Sequence, residues 1–249
     1  MRLRGTRAVV TGASAGIGRA TALELARRGC TPVLVARDRA RLQALADSTG
    51  GEVTPCDLAD DTAVGELVDQ VLSAGVPDIV VNNAGIGLFG AAADLTDEAL
   101  RRLLAVNVTA PLLLTSALLP QMLQRGSGHL VFVSSIAARL GVAHEAAYAA
   151  SKAALDVYAA GLAAELPRQG VRVTTVVPGV VDTEFFVRRG AAYARRFPPP
   201  ISAERVARRL ADAVEHDRSD VVIPGWLRVP IAVRGLAPGL YTALAARFT

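Results

Sequence analysis

Ala8-Val9-Val10-Thr11-Gly12-Ala13-Ser14-Ala15-Gly16-Ile17-Gly18 is the stretch on which the reading of this chain turns. A short β-branched run breaks into a turn rich in glycine, and a helical pattern takes over. From Gly16 to Arg28 the apolar residues Ile17, Ala20, Leu23, Leu25 and Ala26 recur at helical spacing. Glycines at Gly12, Gly16 and Gly18 let the backbone turn tightly and approach a pyrophosphate. At the N-terminus of the next helix, free N–H groups and the helix dipole favour an anion. Glycine also simply ends many strands, so the turn alone is weak evidence. Its place at the first strand–helix junction is what points to dinucleotide binding.

Working outward, the same alternation continues. Pro32 to Ala36, Val53 to Cys56, Ile79 to Val81, Leu130 to Val133, Val171 to Val177 and Val221 to Ile223 read as strands. Helical patterns separate them: Asp38–Asp47, Asp60–Ala74, Asp97–Leu104, Leu112–Gln124, Ala146–Leu166 and Ser202–Glu215. Continuous apolar strands between helices imply a parallel sheet covered on both faces. With right-handed crossovers this predicts an α/β, Rossmann-like, doubly wound sheet of seven strands. At 249 residues one domain spanning 1–249 is expected, since a single core can still grow to that size.

Composition narrows the function classes. With 51% hydrophobic and 20% charged residues, intrinsic disorder is excluded. Two cysteines, Cys30 and Cys56, exclude a disulfide scaffold and a cysteine-rich metal site; no metal is expected. The N-terminus shows no apolar leader, which with the few cysteines predicts the cytoplasm. The uncharged stretch Leu103–Gln124 is long enough for a transmembrane helix, but Asn107, Pro111, Thr115, Pro120 and Gln121 interrupt it, and a buried core helix is expected. The sequence pI of 9.6 raises the question of nucleic acid. The arginines are scattered among acids, as at Arg27-Arg28, Arg101-Arg102 and Arg208-Arg209, and read as solvated faces, so no nucleic-acid partner is expected. One skew stands out. Lys152 is the single lysine among 27 Lys+Arg residues, and Asn82, Asn83 and Asn107 are the sole asparagines.

Two further features carry chemistry. The second strand ends in Ala36-Arg37-Asp38. An acid at such a strand end holds the ribose hydroxyls of NAD, whereas an arginine accommodates the 2′-phosphate of NADP. Arg37 comes first and offers a planar fork, so NADP(H) is preferred over NAD(H); Asp38 could instead be the cap of the next helix. Tyr148 and Lys152 stand four apart on a predicted helix and share a face. A free tyrosine titrates near pH ~10, too high for a base at neutral pH, and a neighbouring ammonium would lower that value. Ser135, just past the fifth strand, sits where an open parallel sheet binds ligands and can hydrogen-bond the same substrate oxygen.

These residues resemble the short-chain dehydrogenase/reductases. The matching features are Thr11–Gly18, Asp57, Asn82-Asn83-Ala84-Gly85, Asn107, Ser135, Tyr148-Ala-Ala-Ser-Lys152, and Pro178-Gly179 followed by Thr183. The resemblance is dense from Arg4 to Thr183. It implies a catalytic tetrad of Asn107, Ser135, Tyr148 and Lys152, with Tyr148 as general acid for reduction and base for oxidation. Lys152 would lower the tyrosine pKa and hold the nicotinamide ribose; Ser135 would orient the substrate oxygen. Asn107 would keep a local helix break and help position a water. Gly12, Ser14, Ala15, Gly16, Ile17 and Gly18 would cradle the cofactor's pyrophosphate. Asp57 and Leu58 would contact the adenine, and Asn83 would lie near the adenosine ribose, with Ala84 and Gly85 beside it. Pro178, Gly179, Val181 and Thr183 would complete the nicotinamide side. His144 is tempting as a second acid, but the family pattern requires none there.

The resemblance implies a hydride-transferring oxidoreductase acting on a ketone or secondary alcohol, and a homodimer or homotetramer. The alternative is a catalytically silent nucleotide-binding regulator on the same fold, which would be expected to lose part of the tetrad. Substrate choice is expected in Glu184–Pro200, where Phe185, Phe186, Tyr193 and Phe197 alternate with Arg188-Arg189 and Arg195-Arg196. That is either an apolar lid with a basic rim or an amphipathic helix packed on the sheet. The apolar segment from 225 to 249, with Trp226, Ile231, Val233, Leu236, Leu240, Leu244 and Phe248, could dock on the pocket, form a subunit surface, or lie on a membrane, the last being the least favoured.

Overall fold

The computed structural model describes residues 1–166, 169–194 and 197–245. The opening turn joins β1 (Arg7–Thr11) to α1 (Gly16–Arg27). There follow β2 (Thr31–Ala36), α2 (Arg39–Thr49), β3 (Glu52–Pro55), α3 (Asp61–Ser73) and β4 (Ile79–Asn82). Helices α4 (Asp97–Leu104) and α5 (Ala110–Arg125) lead to β5 (Gly128–Val133); α6 (Ile136–Leu140) and α7 (Ala146–Glu165) lead to β6 (Val171–Pro178). The chain closes with β7 (Val181–Asp182), α8 (Phe185–Arg188), β8 (Ile201–Ser202), α9 (Ala203–Glu215), β9 (Asp220–Ile223), α10 (Arg228–Leu236) and α11 (Pro238–Ala245).

Seven strands form one parallel sheet in the order β3-β2-β1-β4-β5-β6-β9, the doubly wound arrangement expected from the alternation of runs. The winding direction reverses between β1 and β4. Helices on the two sides of that point leave in opposite directions, and a crevice opens at the strands' carboxyl ends.

The strands read as unbroken apolar runs because both faces are covered. Val9 faces the layer that holds Leu67, Leu114, Leu118, Leu155 and Leu162. Val10, its neighbour, faces the opposite layer with Leu25, Val206, Leu210 and Val214. Each such side chain moved fully out of water contributes about 1.5–3 kcal/mol. The helices start where side-chain caps are available. Asp38 accepts from the Arg41 amide, Asp60 from Thr62 and Ala63, Thr96 from Ala99, and Ser202 from Arg205.

Three features differ from the sequence expectation. Asp97–Leu104 and the following apolar helix are not separate: a π-helical turn, Ala105–Thr109, joins α4 to α5. The Asp97–Arg125 span is long and apolar enough to cross a bilayer, yet Ala110, Leu114, Leu118 and Met122 are buried against the sheet in the way of a core helix. Second, β7 and β8 pair as a small parallel ribbon that brackets the segment after Thr183. Two-residue strands carry no readable period. Third, several arginines read as solvated are built in. Arg28, held by Glu24 of α1 at 2.7 Å, ties α1 to α9 through Asp212 at 2.8 Å and Glu215 at 2.5 Å. Arg7 grips Glu52 with two nitrogens, at 2.9 and 2.7 Å.

Candidate active site

The glycine turn is shaped by contacts that leave no room for side chains. Gly12 and Gly16 have φ of +68° and +53°. A Cβ on Gly12 would lie 2.9 Å from the Asn83 Nδ2 and 3.0 Å from the Ala84 Cα; one on Gly16 would lie 3.1 Å from the Thr183 Cγ2. Ala15, at the N-cap of α1, offers no side-chain cap and no acid sits in the first turn, so the leading N–H groups have no side-chain acceptor. Ser14, Ala15, Gly16 and Ile17 line a cavity there. An uncapped helix N-terminus facing a cavity through a turn of glycines and small side chains fits a pyrophosphate.

That cavity is continuous, about 2270 Å³, and runs from Arg37 and Asp57 to Tyr148 and Lys152 on α7. Among the residues expected to hold a nucleotide, Gly12, Ser14, Ala15, Gly16, Ile17, Arg37, Asp57, Leu58, Asn83, Ala84, Gly85, Tyr148, Lys152, Pro178, Gly179, Val181 and Thr183 all line it. Gly18 does not. Its α-carbon packs so tightly that a Cβ would sit 2.2 Å from the Gly12 carbonyl oxygen, so it shapes the turn from behind. Asn83 does two jobs: it lines the cavity, and its Nδ2 donates to the Thr11 carbonyl at 2.7 Å, fastening β4 to the turn. Asn82 is buried and reaches the Thr115 hydroxyl at 3.4 Å.

On the adenine side the acids are engaged. Asp38 caps α2 and pairs with Arg41 at 3.4 Å. Asp57 accepts from the Ala59 amide at 3.1 Å and from Arg102 at 3.0 Å. Arg102 also lines the cavity, and nothing in the sequence pointed to it. Arg37 is exposed at the end of β2 and has no ion pair or hydrogen bond among the described residues.

At the other end, Ser135 closes β5 and opens α6, its Oγ accepting from the Ala137 amide at 3.1 Å. Tyr148 and Lys152 lie on the buried face of α7. Burial pushes the Tyr148 phenol up to about 12; the Ser135 hydroxyl and the Arg189 guanidinium pull it down, and Glu145 pushes it further up. Burial likewise brings Lys152 down to about 8, with Asp156 opposing. The expected lowering of the tyrosine by the lysine is absent from this geometry. The Lys152 Nζ donates to the Val133 carbonyl at 2.9 Å, and desolvation dominates both groups.

Asn107 does not line the cavity. It is fully buried in the π turn, where its Oδ1 accepts from the Ile86 amide at 2.8 Å and its Nδ2 donates to the Ile86 carbonyl and the Ser151 hydroxyl, both at 2.9 Å. Where a helix break was expected, the helix runs on through a π turn, and the Asn107 side chain there takes the backbone groups of Ile86, which lines the cavity next to Gly85.

The substrate end is apolar. Phe185, Phe186, Tyr193 and Phe197 come from the segment after Thr183; Trp226, Leu227, Val229, Pro230, Val233 and Tyr241 come from the C-terminal helices. Among the described residues, the segment from 226 to 242 therefore lines the pocket, one of the three expected placements of the C-terminal stretch. Of the expected basic rim, the two described arginines are paired: Arg188 with Glu184, and Arg189 with Glu145. Arg195, Arg196, Arg247 and Phe248 lie outside the described residues. His144 has φ of 64° and its ring sits 5.5 Å from that of Phe89, in the cavity wall.

A family pattern described as short chain dehydrogenase matches residues 6–194. The chain belongs to the short-chain dehydrogenase family. Among its relatives, "Dehydrogenase/reductase SDR family member 7B" of Rattus norvegicus is 34% identical over 98% of this chain and 81% of its own. A short-chain dehydrogenase from Sphingobium yanoikuyae, solved in complex with NADPH, superposes with a TM-score of 0.85 at 29% identity, covering 95% of each chain. One from Burkholderia phymatum, solved with NAD, gives 0.87 at 25% identity, covering 96% of each. The family signature thus extends over both the glycine turn and the tyrosine–lysine helix.

Proposed function

We propose that this short-chain dehydrogenase is an NADP(H)-dependent oxidoreductase of a neutral, apolar ketone or secondary alcohol, with Tyr148 exchanging the proton at the reacting oxygen. One observation carries the reading: a single cavity joins the uncapped N-terminus of α1 to the buried pair Ser135 and Tyr148.

The glycine turn, Asn83 to Gly85 and Pro178 to Thr183 would hold the nucleotide, which when bound supplies or takes up the hydride. The chain's own part is proton handling and placement. In reduction Tyr148 donates its phenolic proton to the carbonyl oxygen, and a phenol held up at about 12 is fully protonated at neutral pH, ready to act as the acid. Ser135 donates a hydrogen bond to the same oxygen as charge develops there. In oxidation the roles reverse, and the Ser135 hydroxyl favours the phenolate. Asn107 would serve through Ile86 and a water near Lys152.

NADP(H) is favoured by the division of labour at the end of β2. Asp38 is committed to α2 and Arg41, whereas Arg37, whose charge is felt by Asp57 but which makes no hydrogen bond or ion pair among the described residues, lines the cavity where a charged fork can meet a 2′-phosphate. The apolar lining supports a hydrophobic substrate, and the internally paired Arg188 and Arg189 favour one without an anionic group. Exposed Leu104, Leu113 and Val157 on the long helices support a homodimer or homotetramer, and two buried free thiols suit a reducing cytoplasm. We read 1–249 as one folding unit.

The test is a turnover screen over neutral ketones of graded size with NADPH and NADH. Efficient NADPH-linked reduction that disappears in Tyr148→Phe, with NADPH binding kept within about threefold, is the expected result. A native preference for NADH would overturn the cofactor assignment, and near-normal turnover of Tyr148→Phe would overturn the role of the phenol.

A further inference from the structure

Side chains from three distant stretches form a closed ring beside Tyr148. Phe185 leans on the Tyr148 ring with centroids 5.3 Å apart, and Phe186 meets Phe185 edge-on at 5.6 Å. The Arg189 guanidinium lies 4.6 Å from the Phe186 centroid and 5.0 Å from that of Phe89. Arg189 then pairs with Glu145, the residue that precedes α7, one turn ahead of Tyr148. The ring thus leaves the catalytic helix at Tyr148 and returns to it at Glu145.

Two properties set this cluster apart from an ordinary surface pair. The side chains of Arg189 and Glu145 are only 5% and 12% exposed. A charge pair withdrawn from water gives little net stability over apolar side chains of the same volume, because desolvation offsets the attraction. Such a pair in an otherwise apolar wall is suited to fixing geometry. The packing beneath it is also specific: a Cβ on Gly87 would lie 2.7 Å from the Phe185 Cζ and 2.9 Å from the Arg189 Cβ. The glycine leaves space for these two side chains to descend.

We infer that Arg189 is a positioning residue for the reaction: held by Glu145 and between Phe89 and Phe186, it seats the Phe185–Phe186 wall on Tyr148 and so limits the bulk of the substrate arm beside the reacting carbon. It rests on the reductase reading of the site. Because the cation is already matched by Glu145, the arm it selects is neutral.

The experiment compares native protein with Arg189→Met, Arg189→Lys and Glu145→Gln in two measurements. One is kcat and KM with NADPH for ketones that differ in the size of one arm. The other is hydrogen exchange of the amides of 185–190 in the nucleotide-bound protein. Arg189→Met and Glu145→Gln are expected to raise KM at least tenfold for the best-fitting ketone and to change kcat by less than threefold. They should also narrow the preference between small and large arms and speed exchange at least tenfold. Arg189→Lys, which keeps the charge, should recover part of each effect. Native exchange rates and an unchanged size preference in Arg189→Met would overturn the inference. If native protein bound NADPH but reduced no ketone, the reductase reading would fail. The exchange arm would then still decide the wall: fast in Met and slower again in Lys supports it, equal rates in all variants sink it.

Discussion

Asn107 holds Ile86 by both backbone groups, accepting from its amide at 2.8 Å and donating to its carbonyl at 2.9 Å. A buried side chain thereby pairs a stretch of cavity wall that has no strand partner to do so. Removing it leaves the half-buried amide and carbonyl of Ile86 and the buried Ser151 hydroxyl without their partner, at about 1–3 kcal/mol for a group that water does not reach. Asn107→Ala is therefore expected to lose about 2–4 kcal/mol of stability in urea titration. Asn107→Asp keeps the acceptor for the Ile86 amide but sets a buried carboxylate oxygen against the Ile86 carbonyl, and should lose at least as much. An Asn107→Ala variant as stable as native protein would show that these contacts are not what holds Ile86.

The tight packing behind the glycine turn gives a sharper contrast. A Cβ on Gly18 would meet the Gly12 carbonyl oxygen at 2.2 Å and the Asn83 Nδ2 at 2.5 Å, and backbone cannot rotate away as a side chain can. Gly18→Ala must displace the turn itself. Nucleotide affinity is expected to fall at least tenfold by fluorescence titration, with a stability loss of about 1–3 kcal/mol. Gly50→Ala is the control. Its φ is +65°, but nothing lies within 4 Å of the added carbon. It should cost about 1–2 kcal/mol for the left-handed backbone and leave affinity alone. Similar affinities for the two variants would remove the argument that Gly18 shapes the site.

Much of the fold and of the candidate site was legible because the signals are local. Tyr148 and Lys152 share a face through helical spacing, and Gly12 to Gly18 carry their geometry in consecutive residues. The alternation of apolar runs and helices reports burial on both faces of the sheet. What stayed hidden is long-range pairing. Nothing near Asp57 announces Arg102, and nothing near Glu145 announces Arg189. Arg28 was misread for a physical reason: an arginine among acids looks the same whether it is solvated or bridges two helices. The π turn stayed hidden because it goes with the pairing of Asn107 to Ile86, 21 residues away in the chain. The weight given to the single lysine rested on chemistry rather than position. The structure bears on it differently than expected, placing the ammonium on a carbonyl rather than on the phenol.

That placement makes Lys152 expensive to keep charged. An amine brought from 10.5 to about 8 carries a net penalty of roughly 3 kcal/mol as the ammonium, even with its hydrogen bond to the Val133 carbonyl. Lys152→Met should therefore be as stable as native protein at pH 7, or up to about 2 kcal/mol more stable, while turnover falls at least a hundredfold. The pH dependence follows the same group. Between pH 8 and 10.5 the unfolded lysine holds a proton that the folded one has lost, so native stability gains with rising pH in that window. Above pH 10 Tyr148 acts the other way, because its folded pKa is raised and its unfolded form ionises first. The Met variant should lack the gain between 8 and 10. A Met variant that melts well below native protein at pH 7 would show that the lysine stabilises the fold outright.

At the opposite end of β5, His129 gives the acid side of the stability curve. It is fully buried, and its Nε2 sits 2.7 Å from the Thr174 hydroxyl, which itself donates to the Arg218 carbonyl. Burial holds the imidazole down at about 4, against 6.5 for a free histidine. The folded protein therefore stays neutral at this position while the unfolded chain takes up a proton. Above pH 6.5 both forms are neutral and the group contributes nothing to the pH dependence. As pH falls from 6.5 towards 4 the unfolded state gains, and about 3 kcal/mol of stability is lost before the effect levels off. Carboxylates such as Glu24, held at about 2 by Arg27 and Arg28, add their own loss at lower pH, so the difference between two proteins is the clean measure. His129→Gln can still hydrogen-bond Thr174 but does not titrate. Urea unfolding of native protein and His129→Gln from pH 7 to 4 should give curves that converge by about 3 kcal/mol as pH falls. Parallel curves across that range would mean that His129 is protonated in the folded protein.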